Sequence, residues 1–181
     1  MNEFEYVLTL FGLLLGLALT EALSGLARAI KARKRVRIGW PTALLGTLVA
    51  CDVVTFWMYG WVMRDQVKAT WPMVFAGFVV TGIYYVTASL IFPAEPDEDH
   101  DAHFAENYRL VLSGFLLCNL ALLGWLVSLV GITRLLGLRE MIITWSLIPV
   151  SLTAIIVPDR RIVLACIGWL IALYPLSLIW Q

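Results

Sequence analysis

Long apolar runs alternate with short polar breaks along the chain, and six of the runs are close to 20 residues or longer. They cover residues 6–28, 40–64, 71–92, 109–133, 140–157 and 161–180, each bounded by charge, Pro or Trp. About 20 mostly apolar residues, rising about 1.5 Å each in a helix, cross a hydrocarbon layer of about 30 Å. The pattern therefore predicts an all-α polytopic membrane helix bundle with six transmembrane helices in a single transmembrane domain, 1–181. Strands of a transmembrane barrel would show apolar and polar alternation over segments of about ten residues; these runs are continuously apolar and Leu-rich, which excludes a barrel. Glu3 and Glu5 precede the first run where a secretory signal would be basic, and the run is longer than the apolar core of such a signal. It is expected to remain as a helix.

Composition narrows the picture further. Of 181 residues, 61% are hydrophobic and 14% charged, against about 45–50% and about 25% in a soluble domain. Too few polar side chains remain to cover a water-soluble globule, so a soluble enzyme, a nucleic-acid reader and a disordered regulator are excluded. The spans occupy roughly two thirds of the chain, and any chemistry must sit in the membrane or at its rim.

The 13 Lys and Arg cancel the 13 Asp and Glu, but their placement is lopsided. Arg28, Lys31, Arg33, Lys34, Arg35 and Arg37 crowd the first connection, Arg109 opens the fourth helix, and Arg160 and Arg161 occupy the fifth connection. The opposite side holds only Arg64, Lys68, Arg134 and Arg139. Short loops rich in Lys and Arg stay in the cytoplasm, so both termini are expected on the non-cytoplasmic side of a bacterial inner membrane. The acidic connection with Glu95, Asp97, Glu98, Asp99 and Asp101 then lies inside, which carboxylates permit because they weigh little in this rule. Lys31, Arg33, Lys34, Arg35 and Arg37 suit anionic lipid headgroups; a voltage sensor would need Arg spaced through the bilayer. Trp40, Trp61, Trp71 and Trp180 fall near helix ends, as interface anchors do. Trp57, Trp125, Trp145 and Trp169 lie deeper and are expected to fill helix contacts.

Within the first helix Gly12, Gly16, Thr20 and Ser24 recur every four residues and line one stripe. Small residues so spaced let helix backbones approach closely in lipid, which predicts a packing face, either within the chain or in a homo-oligomer. Cys51, Cys118 and Cys166 sit in apolar sequence without metal-ligand spacing. They predict neither a zinc site nor a redox pair, and no cofactor is expected.

The ionisable residues inside the spans carry the candidate chemistry. Asp52 is 12 residues from both Trp40 and Arg64, about 18 Å from either end and hence near the bilayer centre. A carboxylate there costs about 2.5–3.5 kcal/mol on insertion scales, and no Lys or Arg lies at that depth. It must be protonated, hydrogen-bonded or paired with a cation. Glu21 lies about 6 Å to the cytoplasmic side of the middle of its helix, with Arg28 about 10 Å further along, too far for a close pair. Asn119, Thr81 and the segment Ser146, Pro149, Ser151 fall at the same level, so five helices bring polarity to a slab about 10 Å thick. The interior Pro adds a freed carbonyl acceptor.

Two readings of the slab stay open. Intramembrane acids typically line ion routes or proton relays, so Asp52, Glu21, Asn119, Thr81 and Thr55 are candidates for a proton or small-cation pathway in a channel or transporter. Alternatively, Asp52 bonds to Asn119, Thr55 or Thr81 and fixes helix packing in a non-conducting assembly or accessory subunit. A lipid- or quinone-binding protein is a third. As an enzyme it would have His103 as its sole candidate base, since no Ser-His-Asp order, metal cluster or phosphate loop is present; no catalytic residue is assigned. His100, His103 and Glu106 recur at a spacing of three, which could share a helical face toward a metal. In an acidic segment that spacing is common, and a solvated connection is the expectation.

Several of these residues carry a resemblance. Phe4, Glu5, Tyr6, Val7, then Leu15, Gly16, Leu17, then Thr20 through Arg28, and Arg35, Val36, Arg37 with Trp40 and Pro41, resemble a set of small multi-span bacterial inner-membrane proteins of unassigned function. Ala102, His103, Phe104 through Asn107, Tyr108, Arg109 with Gly114 and Phe115 are similar to theirs too, so about a third of the chain is covered. The resemblance implies a multi-span inner-membrane protein and supplies no activity or substrate. Proteins of this pattern often carry Gln in place of Glu21, which shifts weight to Asp52. A three-plus-three inverted repeat finds no support: residues 10–15 match residues 112–117 only in Leu and Gly.

Overall fold

The computed structural model describes residues 3–32, 39–94 and 99–180. Arg33, Lys34, Arg35 and Arg37 of the basic cluster, and Glu95, Asp97 and Glu98 of the acidic connection, lie outside the described residues. Six helices follow one another: α1 (Glu3–Ala32), α2 (Trp40–Val62), α3 (Trp71–Ser89), α4 (His100–Val130), α5 (Leu138–Ile156) and α6 (Arg160–Ile179). All six are long and apolar enough to cross a membrane, and no strand occurs among the described residues. The protein is a polytopic membrane helix bundle.

Its core and its outside are both apolar, as a bundle in lipid requires. Leu45, Leu48 and Val49 of α2, Val111, Leu112 and Phe115 of α4, and Ile167 and Leu170 of α6 are buried. Leu13, Leu17, Met58, Val62, Val86, Leu117 and Leu178 point outward, a surface that would aggregate in water and is at home in acyl chains. Helix α2 stands at the centre, against α1, α3, α4 and α6, while α5 bridges α4 and α6.

Where α1 meets α3 and the turn that follows it, glycine lets an aromatic ring replace a side chain. The Phe11 ring lies where a Cβ on Gly77 would be, and the Phe92 ring does the same at Gly25. The stripe on α1 divides: Gly12 packs against the Trp57 indole of α2, whereas nothing stands over Gly16. Thr20 is exposed and bonds to the Gly16 carbonyl at 2.8 Å, and Ser24 is half-buried.

Helix ends depart from the hydropathy boundaries for local reasons. Helix α4 begins nine residues before the apolar run at 109, because Asp99 caps it by accepting from the Asp101 amide at 2.9 Å. Phe104 and Tyr108, one turn apart, bury one side of this polar stretch. It ends at Gly131, whose φ of 75° a side chain rarely adopts. Asp159 caps α6 in the same way through the Arg161 amide at 2.8 Å. Helix α2 stops at Val62 and Arg64 enters a 3-10 turn; α3 stops at Ser89, short of 92. Within α5, Met141–Trp145 widen into a π-helical turn ahead of Pro149. Pro149 has no N–H to give and its ring crowds the Trp145 carbonyl, so the chain loosens there.

Candidate functional site

Helix α2 carries Asp52 into the middle of the bundle, 3% exposed. Tyr84 of α3 donates its hydroxyl to Oδ2 at 2.8 Å, and Asn119 Nδ2 of α4 donates to the same oxygen at 2.8 Å. Tyr174 of α6 donates to Oδ1 at 3.0 Å. Both carboxyl oxygens are thus engaged, and four helices converge on one side chain. An ionised carboxylate only accepts hydrogen bonds, and this one is met by three donors.

Each donor is held by its own surroundings. Phe56, one turn beyond Asp52, packs edge-on against the Tyr84 ring at 5.3 Å and 63°. The second N–H of Asn119 donates to the Phe115 carbonyl at 3.0 Å, so the amide bridges its own helix to Asp52. Tyr174 stands next to Pro175 inside α6, where the missing Pro N–H frees a carbonyl one turn back and lets the helix bend. Magnitudes favour a closed node. Interhelical hydrogen bonds in membranes are worth about 0.6–2 kcal/mol each, so three together match the cost of about 2.5–3.5 kcal/mol for placing an acid at the bilayer centre.

The other slab residues lie outside this node. Thr55 donates to the Cys51 carbonyl at 2.9 Å and Thr81 to the Gly77 carbonyl at 2.8 Å, so both hydroxyls serve their own helices. Glu21 is half-buried on α1, a helix that contributes nothing to the node. Ser146 bonds to the Ile142 carbonyl within the π-helical turn and accepts from Trp169 Nε1 at 3.3 Å. The Ser151 hydroxyl is buried without a hydrogen-bond partner among the described residues. Cys118 is buried with its thiol toward the Val80 carbonyl at 3.6 Å, and all three cysteines are free.

Hydropathy reasoning missed Tyr84 and Tyr174, although a signal existed. Both are tyrosines well inside apolar helices, and a buried tyrosyl hydroxyl needs a partner. Two such donors at the depth of a lone acid with no cation in reach would have pointed to the contact.

Near the N-termini of α4 and α6, His103 Nε2 donates to the Leu90 carbonyl at 3.1 Å and the His100 carbonyl accepts from Thr42 at 3.1 Å. Among the described residues, no three His, Cys, Asp or Glu side chains converge to hold a metal. Lys31 is exposed at the end of α1.

Fold and site together define a class: a six-span helical membrane protein built around a buried carboxylate with three donors. No family model, curated protein or solved structure matches this chain.

Proposed function

We propose that this is a non-conducting membrane subunit, an assembly or accessory protein, in which Asp52 fixes the register of four helices. The observation that carries the reading is the engagement of both Asp52 oxygens, at 3% exposure, by Tyr84, Asn119 and Tyr174. An ion in transit needs oxygens able to exchange water for the ion; these already hold donors. The protein sits in a bacterial inner membrane, a placement supported by the resemblance of its N-terminal stretch and of the first half of α4, with both termini on the non-cytoplasmic side, as the asymmetry of Lys and Arg supports. Gly16, over which nothing stands, and the exposed Thr20 supply a surface for homo-oligomer contact. Purified protein in liposomes is expected to pass protons, Na⁺ and K⁺ no faster than empty vesicles. Flux that is present in the wild type and lost in Asp52→Asn overturns the reading.

That outcome would establish a second reading, a proton or small-cation pathway through the node. It is favoured by one feature: a carboxyl flanked by two hydroxyls, each able to donate and accept, forms a chain along which a proton can hop. A lipid- or quinone-binding role at this level draws no support from side chains so fully engaged with one another.

A further inference from the structure

Toward the end of the bundle that carries both termini, full burial stops at one level. The last buried residues in that direction are Val53 on α2, Thr81 on α3, Cys118 on α4, Ser151 on α5 and Leu173 on α6. Helical spacing carries the inward stripes on through Phe56 of α2, Leu122 and Leu126 of α4 and Leu147 of α5, yet each of these is half-buried. Beyond that level burial returns at Val7 of α1 and in the turns, at Met63 and Leu135. The opposite half is packed to its end, with Pro41, Thr42, His100 and Phe104 all buried.

Within the looser half the helices fall into two groups. In the first, Phe4 of α1 meets Trp61 of α2 edge-on at 6.1 Å, Gly12 packs against Trp57, Phe11 lies over Gly77 of α3, and Glu3 Oε2 accepts from the Ala69 amide at 3.0 Å. In the second, Arg139 at the start of α5 donates to the Trp180 and Ser177 carbonyls of α6 at 2.7 and 3.5 Å, and Trp169 Nε1 donates to Ser146 at 3.3 Å. Among the described residues one hydrogen bond joins α1, α2 and α3 to α5 and α6: Tyr174 to Asp52 Oδ1 at 3.0 Å. Both helices of the second group are loosened where packing gives out. The π-helical turn Met141–Trp145 and Pro149 interrupt α5, and Pro175 lacks an N–H for the Ile171 carbonyl, so α6 can bend across the turn that carries Tyr174.

We propose that α5 and α6 swing as a pair away from α1, α2 and α3 in this half of the bundle, pivoting at the level of Asp52, with the Tyr174–Asp52 hydrogen bond as the latch. The packed half stays closed, and release of the latch bares Asp52 Oδ1. Sparse burial, helix breaks in both moving elements and a single polar tie are what a hinge of this kind requires. The inference concerns packing and stands whether or not the protein conducts ions.

The test is double electron–electron resonance on the full chain in lipid nanodiscs, with spin labels on paired cysteines in a background free of native cysteines. One pair, at the exposed Val62 and Leu138, spans the two groups in the loose half; the other, at the exposed Val86 and Ile156, spans them in the packed half. The wild type is expected to show a second, longer component for Val62–Leu138 and one narrow distance for Val86–Ile156. Tyr174→Phe should raise the ratio of the longer to the shorter component about tenfold, the shift that one interhelical hydrogen bond supplies, and leave Val86–Ile156 unchanged. Tyr84→Phe also takes a hydrogen bond from Asp52, but one that lies within the first group, so it should leave both pairs as in the wild type. A Tyr84→Phe protein that opens as far as Tyr174→Phe overturns the proposal, since the node then only stabilises the bundle at large. So does broadening of both label pairs together, or a Tyr174→Phe protein with the wild-type distribution. Circular dichroism checks that the variants fold. Should Tyr174→Phe fail to do so, the wild type decides: a Val62–Leu138 distribution no broader than that of Val86–Ile156 overturns the hinge.

Discussion

Asp52 shows how a membrane protein keeps an acid in its core without a cation. Two tyrosines and one asparagine approach from three other helices, and their combined hydrogen bonds offset the cost of burial. Removing the carboxyl is more damaging than removing one donor, because it leaves three buried donors unmatched. Asp52→Ala is expected to lower unfolding free energy in detergent by about 3 kcal/mol. Tyr174→Phe, which takes away one contact at the periphery of the node, should cost about 0.6–2 kcal/mol. If the node acts as a unit, combining Asp52→Asn with Tyr174→Phe costs less than the two single effects added. Full additivity would mean that Tyr174 and Asp52 act independently.

At the scale of elements, the contacts that set helix spacing are rings lying over glycine. Gly77 gives Phe11 its place between α1 and α3, and Gly77→Leu must push that ring out. An overpacked site of this kind costs about 1–3 kcal/mol, measurable as a lower unfolding midpoint; an unchanged midpoint would mean that α1 can shift without cost. The first turns of α4 depend on a different device. Residues 100–108 are largely polar, yet they stay helical because the Asp99 cap starts them and Phe104 and Tyr108 pin them to the bundle. Phe104→Ala should raise amide exchange across 100–107 by tenfold or more while leaving the interior of α4 protected. Arg139 makes a comparable tie at the opposite end, where its Nε donates to the Trp180 carbonyl at 2.7 Å beyond the last turn of α6.

For the whole molecule, the arrangement is a central α2 held on several sides, with lipid-facing Leu, Val and Trp around the outside. Such a bundle gains little from hydrophobic burial between helices, since lipid is equally apolar. Close glycine contacts and a few polar bonds therefore decide how it assembles. Orientation is a property at this scale too. A single cysteine at Lys31, in a background free of native cysteines, is expected to react with an impermeant thiol reagent only in inside-out vesicles. A single cysteine at Lys68 should react only in right-side-out ones. The reverse pattern inverts the topology.

The number and type of spans were legible in the chain because hydrocarbon imposes one requirement on every crossing segment, about 20 apolar residues with backbone groups bonded internally. Linear spacing also placed Asp52 and Asn119 at a common depth, and their side chains do meet. Depth is only one coordinate, however. Thr55 and Thr81 share that level and turn to their own helices, while Tyr84 and Tyr174 reach Asp52 from helices α3 and α6. Which faces of four helices look at one another depends on rotation about each axis, set by where Phe11, Phe92 and Trp57 find a glycine and where Pro149 and Pro175 bend the backbone. Those rotations emerge only when the helices pack, so the sequence determined a six-span bundle with a stranded acid, and the tertiary structure alone decided which donors close around it.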